Sequence, residues 1–215
     1  MDDLLIGYKD EGHMLHIKAT LEQWFKMVNA GPASWVLGMQ VCMNTHLGAI
    51  SIDQSQYIHK VLQRFGMSDC KPVPTPLPEK MILRTTTDEE VDAAQDYPYL
   101  QVIGSIMYAM LGMRLDITYA VSTLSQYSSH PGTQHVNAIK HLLHYLKGSA
   151  NYGIIYSCDG GGLIGHESKV HSDTVHNGLV GYTDSDFAMD LDSHQSISGA
   201  VFLLTGGSIS WSSKL

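Results

Sequence analysis

The chain has 215 residues, 44% of them apolar and 16% charged, enough to build a core and too apolar for a globally disordered chain. Its net charge of −8 argues against a uniformly basic nucleic-acid coat, and no apolar run reaches the ~18 residues of a membrane span. Cys42, Cys70 and Cys158 are too few and too far apart for a disulfide framework or a zinc knuckle, and read as reduced thiols.

The chain opens on Met1-Asp2-Asp3 ahead of Leu4-Leu5-Ile6. The pair of acids reads either as two solvated charges or as part of a metal-binding acidic turn. Leu4 to Tyr8, followed by Lys9-Asp10-Glu11-Gly12, predicts a strand and a turn. Ile17, Leu21, Trp24 and Phe25 then share one helical face, and Gly31-Pro32 ends it. Trp35 to Asp53 predicts a β-hairpin turning at residues 44–48. Asp53 is a candidate N-cap for a helix carrying Ile58, Val61, Leu62 and Phe65 inward, with Gly66 as its stop.

Lys71-Pro72-Val73-Pro74-Thr75-Pro76-Leu77-Pro78 can join neither a helix nor a central strand, and reads as an extended connector. Thr87-Asp88-Glu89-Glu90 suggests a capped helical turn. Pro98 opens a helix whose Gly104 and Gly112 would permit close packing. Two more helices are expected over Asp116–Tyr127 and Val136–Leu146, the second turning Lys140, His141, His144 and Lys147 outward. From Tyr152 the pattern becomes strand-like at 153–156, 179–184, 198–204 and 208–211. These segments read as consecutive antiparallel strands with Gly206-Gly207 as the last turn.

The glycine pattern from Gly160 to Gly165 lacks the helix a dinucleotide site requires. His141, His144, His166, His171 and His176 lack the neighbours of a zinc site and read as surface histidines. Asp184 and Asp186 share a strand face, with Asp190 and Asp192 just beyond. Carboxylates held so suit a hard divalent ion, although an acidic strand end in water has the same composition. Five basic residues from Lys60 to Arg84 face only Asp69 and Glu79, while Ser157–Leu215 holds seven acids and two lysines. This asymmetry fits a backbone-tracking segment beside a metal-binding one, and equally two solvated faces.

A run of ordered stretches resembles the copia-type (Ty/copia) retrotransposon polyprotein. They include Trp35-Val36-Leu37-Gly38, Arg64-Phe65-Gly66-Met67-Ser68-Asp69-Cys70-Lys71, Ile103-Gly104-Ser105-Ile106-Met107-Tyr108 and Arg114-Leu115-Asp116-Ile117. Tyr145-Leu146-Lys147-Gly148, Gly181-Tyr182-Thr183-Asp184-Ser185-Asp186 and Gly207-Ser208-Ile209-Ser210-Trp211 continue it. The resemblance implies an α+β fold: a reverse-transcriptase palm/thumb remnant with hairpin and helices over 1–70, a Pro-rich linker over 71–96, a helical connection over 97–150, and truncated antiparallel strands of an RNase H-like fold over 151–215. By the same match Asp2 and Asp3 stand at the metal-binding pair of the polymerase, and Asp184 at the first metal-binding aspartate of ribonuclease H.

It further implies Mg²⁺ and an RNA/DNA hybrid for the parent enzyme, with Lys60, Arg64 and Lys71 as candidate nucleic-acid contacts. The remaining carboxylates of both sites are expected outside residues 1–215. The expectation is therefore a polyprotein fragment that is catalytically inactive alone, holds no tight Mg²⁺, and binds nucleic acid weakly or not at all. A retained non-enzymatic protein that binds nucleic acid or polymerase is the alternative. A cytoplasmic or nuclear location without membrane association is expected. The terminal Ser213-Lys214-Leu215 matches a peroxisomal address by accident, since the family pattern runs through Ser-Lys at this place.

Overall fold

The computed structural model describes residues 4–79, 81, 83–86, 96–157, 162–164, 178–186 and 195–214. The fold is α+β, with helices packed beside two antiparallel sheets. Asp2 and Asp3, the expected turn at 87–90, and His166, His171 and His176 lie outside the described residues.

Residues 4–8 are irregular, where a strand was expected. A strand needs a ladder partner, and Asp10 serves instead as the N-cap of α1 (Glu11–Trp24), its carboxylate accepting the His13 amide at 2.9 Å. Of the expected inner face of α1, Ile17 and Leu21 are half-buried, whereas Trp24 and Phe25 are exposed. Met14 is the buried residue of this helix.

The hairpin forms as its alternation predicts: β2 (Met39–Asn44) pairs with β3 (Ala49–Asp53), Val41 opposite Ile52 and Met43 opposite Ile50. A two-residue turn at Leu37 and Gly38, both at positive φ, adds the short β1 (Trp35–Val36). Beyond the hairpin, the sheet is completed from far along the chain. β4 (Gly153–Ser157) pairs with β3, and β5 (Gly162–Ile164) pairs with β4. Thus β4 does not begin a run with the later strands. Its two edges are taken by β3 and β5, and Ile154 is fully buried. The second sheet is β6 (Leu179–Ser185), β7 (Ser198–Leu204) and β8 (Gly207–Lys214), in that order.

The turn joining β7 and β8 is Thr205-Gly206, one residue earlier than the glycine pair suggests. Both residues have positive φ, as this tight hairpin turn requires. Gly207 is already in the strand, pressed against the Tyr156 ring and 2.9 Å, by an added Cβ, from the Ile155 carbonyl.

The helical layer carries the core. α2 (Ser55–Arg64) supplies Ile58, Val61 and Leu62. Asp53 stands one residue before its N-cap, accepting from the Ser55 amide at 3.0 Å and the Ser55 hydroxyl at 2.6 Å. At its other end, the Met67 amide donates to Leu62 O at 2.7 Å and the Gly66 amide to Gln63 O at 3.2 Å, with Gly66 at φ +68. This paired closure needs a left-handed residue. Space around Gly66 is open, so Gly66→Ala is expected to cost about 1 kcal/mol from backbone strain alone, read as a shift in urea midpoint at constant slope.

α3 (Tyr99–Gly112) opens after Pro98 as expected, and a Cβ at Gly112 would strike the buried Gln54 side chain. Gly104, by contrast, faces open space. The helix expected from Asp116 is a 3₁₀ turn (Leu115–Ile117) leading into α4 (Thr118–Ser125). α5 (Thr133–Gly148) buries Val136, Ile139, Leu142, Leu143 and Leu146, as its spacing predicts. No helix among the described residues is long and apolar enough to cross a membrane.

The proline segment lies along α5. His144 Nδ1–H donates to Lys71 O at 2.6 Å and His141 Nε2–H to Thr75 O at 3.0 Å, while Val73 and Leu77 pack on the core. These histidines are therefore latches for the connector, half-buried rather than surface groups. Arg114 forms a second lock. Its guanidinium is 1% exposed and grips Asp116 through Nε at 2.9 Å and Nη2 at 2.7 Å.

Candidate functional site

Asp184 lies on β6 opposite Gly199, exposed, with its carboxylate accepting the Ser185 amide at 2.9 Å. Asp186 just beyond the strand accepts the Ile197 amide at 2.7 Å, so its carboxylate is tied to backbone at the sheet end. Asp190 and Asp192 lie outside the described residues. Among the described residues, no three metal-capable side chains come together. Mg²⁺ demands a near-octahedral set of oxygens. Two carboxylates, each already accepting a backbone amide, do not make such a set.

The candidate cations divide between two places. Tyr57, Lys60 and Arg64 recur at i, i+3, i+7 and so share one face of α2. Gln101, Gly104, Ser105 and Tyr108 share the neighbouring face of α3. Between these faces runs a groove of about 470 Å³ lined by Arg64 and both tyrosines. Its aromatic floor is fixed. Tyr57 OH donates to Ser105 O at 2.9 Å, Tyr108 OH donates to Leu37 O at 2.8 Å, and the two rings sit 4.9 Å apart at 58°. Burial, and then the neighbouring Tyr108, raise the pKa of the Tyr57 phenol, which keeps it a donor. Neither α2 nor α3 contains an acidic residue.

Lys71 belongs elsewhere. It lines a depression of about 440 Å³ with Asn137, Lys140 and His144, where the proline segment meets α5. Lys140 Nζ sits 5.1 Å above the Tyr97 ring. The sequence marked Lys60, Arg64 and Lys71 as one basic stretch; the fold puts Arg64 in one groove, with Lys60 a turn away on the same helix face, and Lys71 in another. Sequence reading missed Tyr57 and Tyr108. The spacing of Tyr57 against Lys60 and Arg64 was visible, but the approach of α3, which brings Tyr108, was not.

Arg114 is a cation of a different kind. Besides Asp116 it donates to Ser149 O at 3.0 Å and Ser149 Oγ at 2.6 Å, with its Cζ 5.8 Å and 5.6 Å from the Tyr145 and Tyr152 rings. Tyr145 OH donates to Asp116 at 2.8 Å. Burial, followed by the Asp116 charge, holds that phenol protonated well above its ordinary range. With each guanidinium nitrogen bonded inside the protein, this cluster is structural.

Residues 1–79 match the family described as reverse transcriptase (RNA-dependent DNA polymerase). Over its whole length the chain is 38% identical to the retrovirus-related Pol polyprotein from transposon TNT 1-94 of Nicotiana tabacum, and covers 15% of that protein. It is 30% identical to the corresponding polyprotein from transposon RE1 of Arabidopsis thaliana, covering 13% of it. An uncharacterized mitochondrial protein of Arabidopsis thaliana is 28% identical and is covered to 80%. No solved structure matches the chain significantly.

Proposed function

The chain belongs to the copia-type retrotransposon polyproteins and includes part of their reverse transcriptase, and from this premise we propose that it is a nucleic-acid-contacting segment that does not turn over substrate alone. The parent reaction is RNA-directed DNA synthesis with removal of the RNA strand. In this reading residues 1–70 are the end of the polymerase palm and thumb, 71–96 the linker and 97–150 the connection. Residues 151–215 are opening strands of a ribonuclease H domain. Asp2 and Asp3 are the polymerase pair and Asp184 is the first ribonuclease H carboxylate.

The observation that carries the inactivity is the setting of Asp184. Its carboxylate stands exposed, and the nearest acid in sequence, Asp186, is bonded to the Ile197 amide. Two-metal phosphoryl transfer needs several carboxylates converging on the ions. The described donors do not fit that requirement. What the chain's own residues supply is charge for phosphate: Lys60 and Arg64 on α2, and Lys71 beside Lys140.

The test is primer extension and RNA–DNA hybrid cleavage by the purified 215-residue chain with Mg²⁺ or Mn²⁺. Neither activity is expected above background. Turnover that disappears in Asp2→Asn or Asp184→Asn would overturn the proposal.

A further inference from the structure

We infer that the groove between α2 and α3 holds an unpaired nucleotide, its base on the Tyr108 ring and its phosphate at Arg64. This rests on the nucleic-acid reading above and goes beyond it by naming the form of the ligand and the residues that take it. Four observations point there. Tyr108 is 46% exposed although its hydroxyl is bonded to Leu37 O, so a ring face, not a polar tip, is what it presents. Tyr57, pinned through its own hydroxyl to Ser105 O, braces that ring from the side. A platform immobilised in this way loses little freedom when a base stacks on it.

Charge selects the same class of ligand. Arg64 lines the groove, Lys60 lies one turn away on the same face, and neither helix carries an acid, in a chain whose net charge is −8. An anion is favoured here against the charge of the whole. Space selects further: Gly104 leaves the groove open above the helix backbone, since a Cβ there meets nothing within 4 Å. A paired base hides both faces in its own stack, so an aromatic platform in a groove reads unpaired strands. The Gln101 side chain on the rim offers one donor and one acceptor to a base edge.

The test is fluorescence anisotropy of the full chain with labelled oligo-thymidine, its RNA equivalent, and a duplex of the same length, at two salt concentrations. Gly104→Leu fills the groove from an open position and raises helix propensity, so the variant is expected to fold, which its thermal melt by circular dichroism verifies. It should weaken single-strand binding about tenfold, the scale of one lost stacking contact. Arg64→Gln should weaken binding and lower the slope of log affinity against log salt by about 0.7, one phosphate contact on a single strand. Wild-type binding of both single strands ahead of the duplex supports the inference. Binding that survives unchanged in folded Gly104→Leu overturns the groove but leaves the broader nucleic-acid reading standing. No wild-type binding to any of the three overturns both.

Discussion

Arg114→Ala is expected to lower the unfolding free energy by about 3–5 kcal/mol, the usual consequence of stranding one member of a buried ion pair. The guanidinium is 1% exposed, and removing it leaves the Asp116 carboxylate with Tyr145 OH as its remaining side-chain partner. Ser149 loses two bonds at once, and the rings of Tyr145 and Tyr152 lose the cation beside them. The lesion also sits at a junction. Arg114 caps the start of the 3₁₀ turn after α3 and Asp116 lies within it, whereas Tyr145 and Ser149 close α5, so the cluster ties the middle helix to the last. Urea titration followed by far-ultraviolet circular dichroism measures the loss. Against a typical domain stability of ~5–15 kcal/mol, much of the variant would be unfolded or easily melted. The double variant Arg114→Met/Asp116→Leu should recover part of the loss, since no buried charge remains. A change below about 1 kcal/mol in the single variant would show that the pair is solvated in the protein's working state.

Gly207→Val is expected to cost about 1–3 kcal/mol and to act mainly on the second sheet. A Cβ at this position would enter the Tyr156 ring and approach Ile155 O, which belong to β4 of the first sheet. Tyr156 OH also donates to Ser208 O at 2.7 Å, and the Ser157 amide to Thr205 O at 3.4 Å. This is the seam between the sheets. Two further bonds hold β8 to the helices: Trp211 Nε1–H to Met110 O and Ser122 Oγ–H to Ser213 O, both at 2.9 Å. Wedging the seam therefore should loosen β6–β8 while the helical core stays folded. Hydrogen exchange with mass spectrometry reads this as faster exchange over residues 198–214 than over 133–148. Equal acceleration in both segments would mean that sheet and helices open as one unit.

Local pattern carried most of the helices and the hairpin. Ile58, Val61, Leu62 and the five inward residues of α5 are buried where their spacing places them, because amphipathic period and burial are the same physical fact. What escaped depended on partners distant in sequence. β4 has the composition of any buried strand, and nothing in Gly153-Ile154-Ile155-Tyr156 names β3 as its neighbour. Arg114-Leu115-Asp116-Ile117 carried the family resemblance, but its burial depends on Ser149 and Tyr152. The Thr205-Gly206 turn is displaced by one residue because Gly207 is needed for close approach to Tyr156. At the candidate site the cations were legible as a basic stretch. Their division between two grooves, and the tyrosine floor beneath one of them, required the packing of α2 on α3. The reading of Asp2 and Asp3 came from the resemblance, and these residues lie outside those described.

The pairing of Asp53 with Gly153 sets an order on how the molecule is made. The hairpin can close as soon as it leaves the ribosome, but its inner edge must wait until about a hundred further residues have been synthesised. At ~5–20 residues per second that edge stays bare for several seconds, long compared with helix formation. The intervening helices can collapse in that interval and bring the two strands together, which shortens the effective loop still to be closed. A slow codon run placed before β4 would prolong the vulnerable period, whereas the same run after β5 would leave the edges of β3 and β4 already paired.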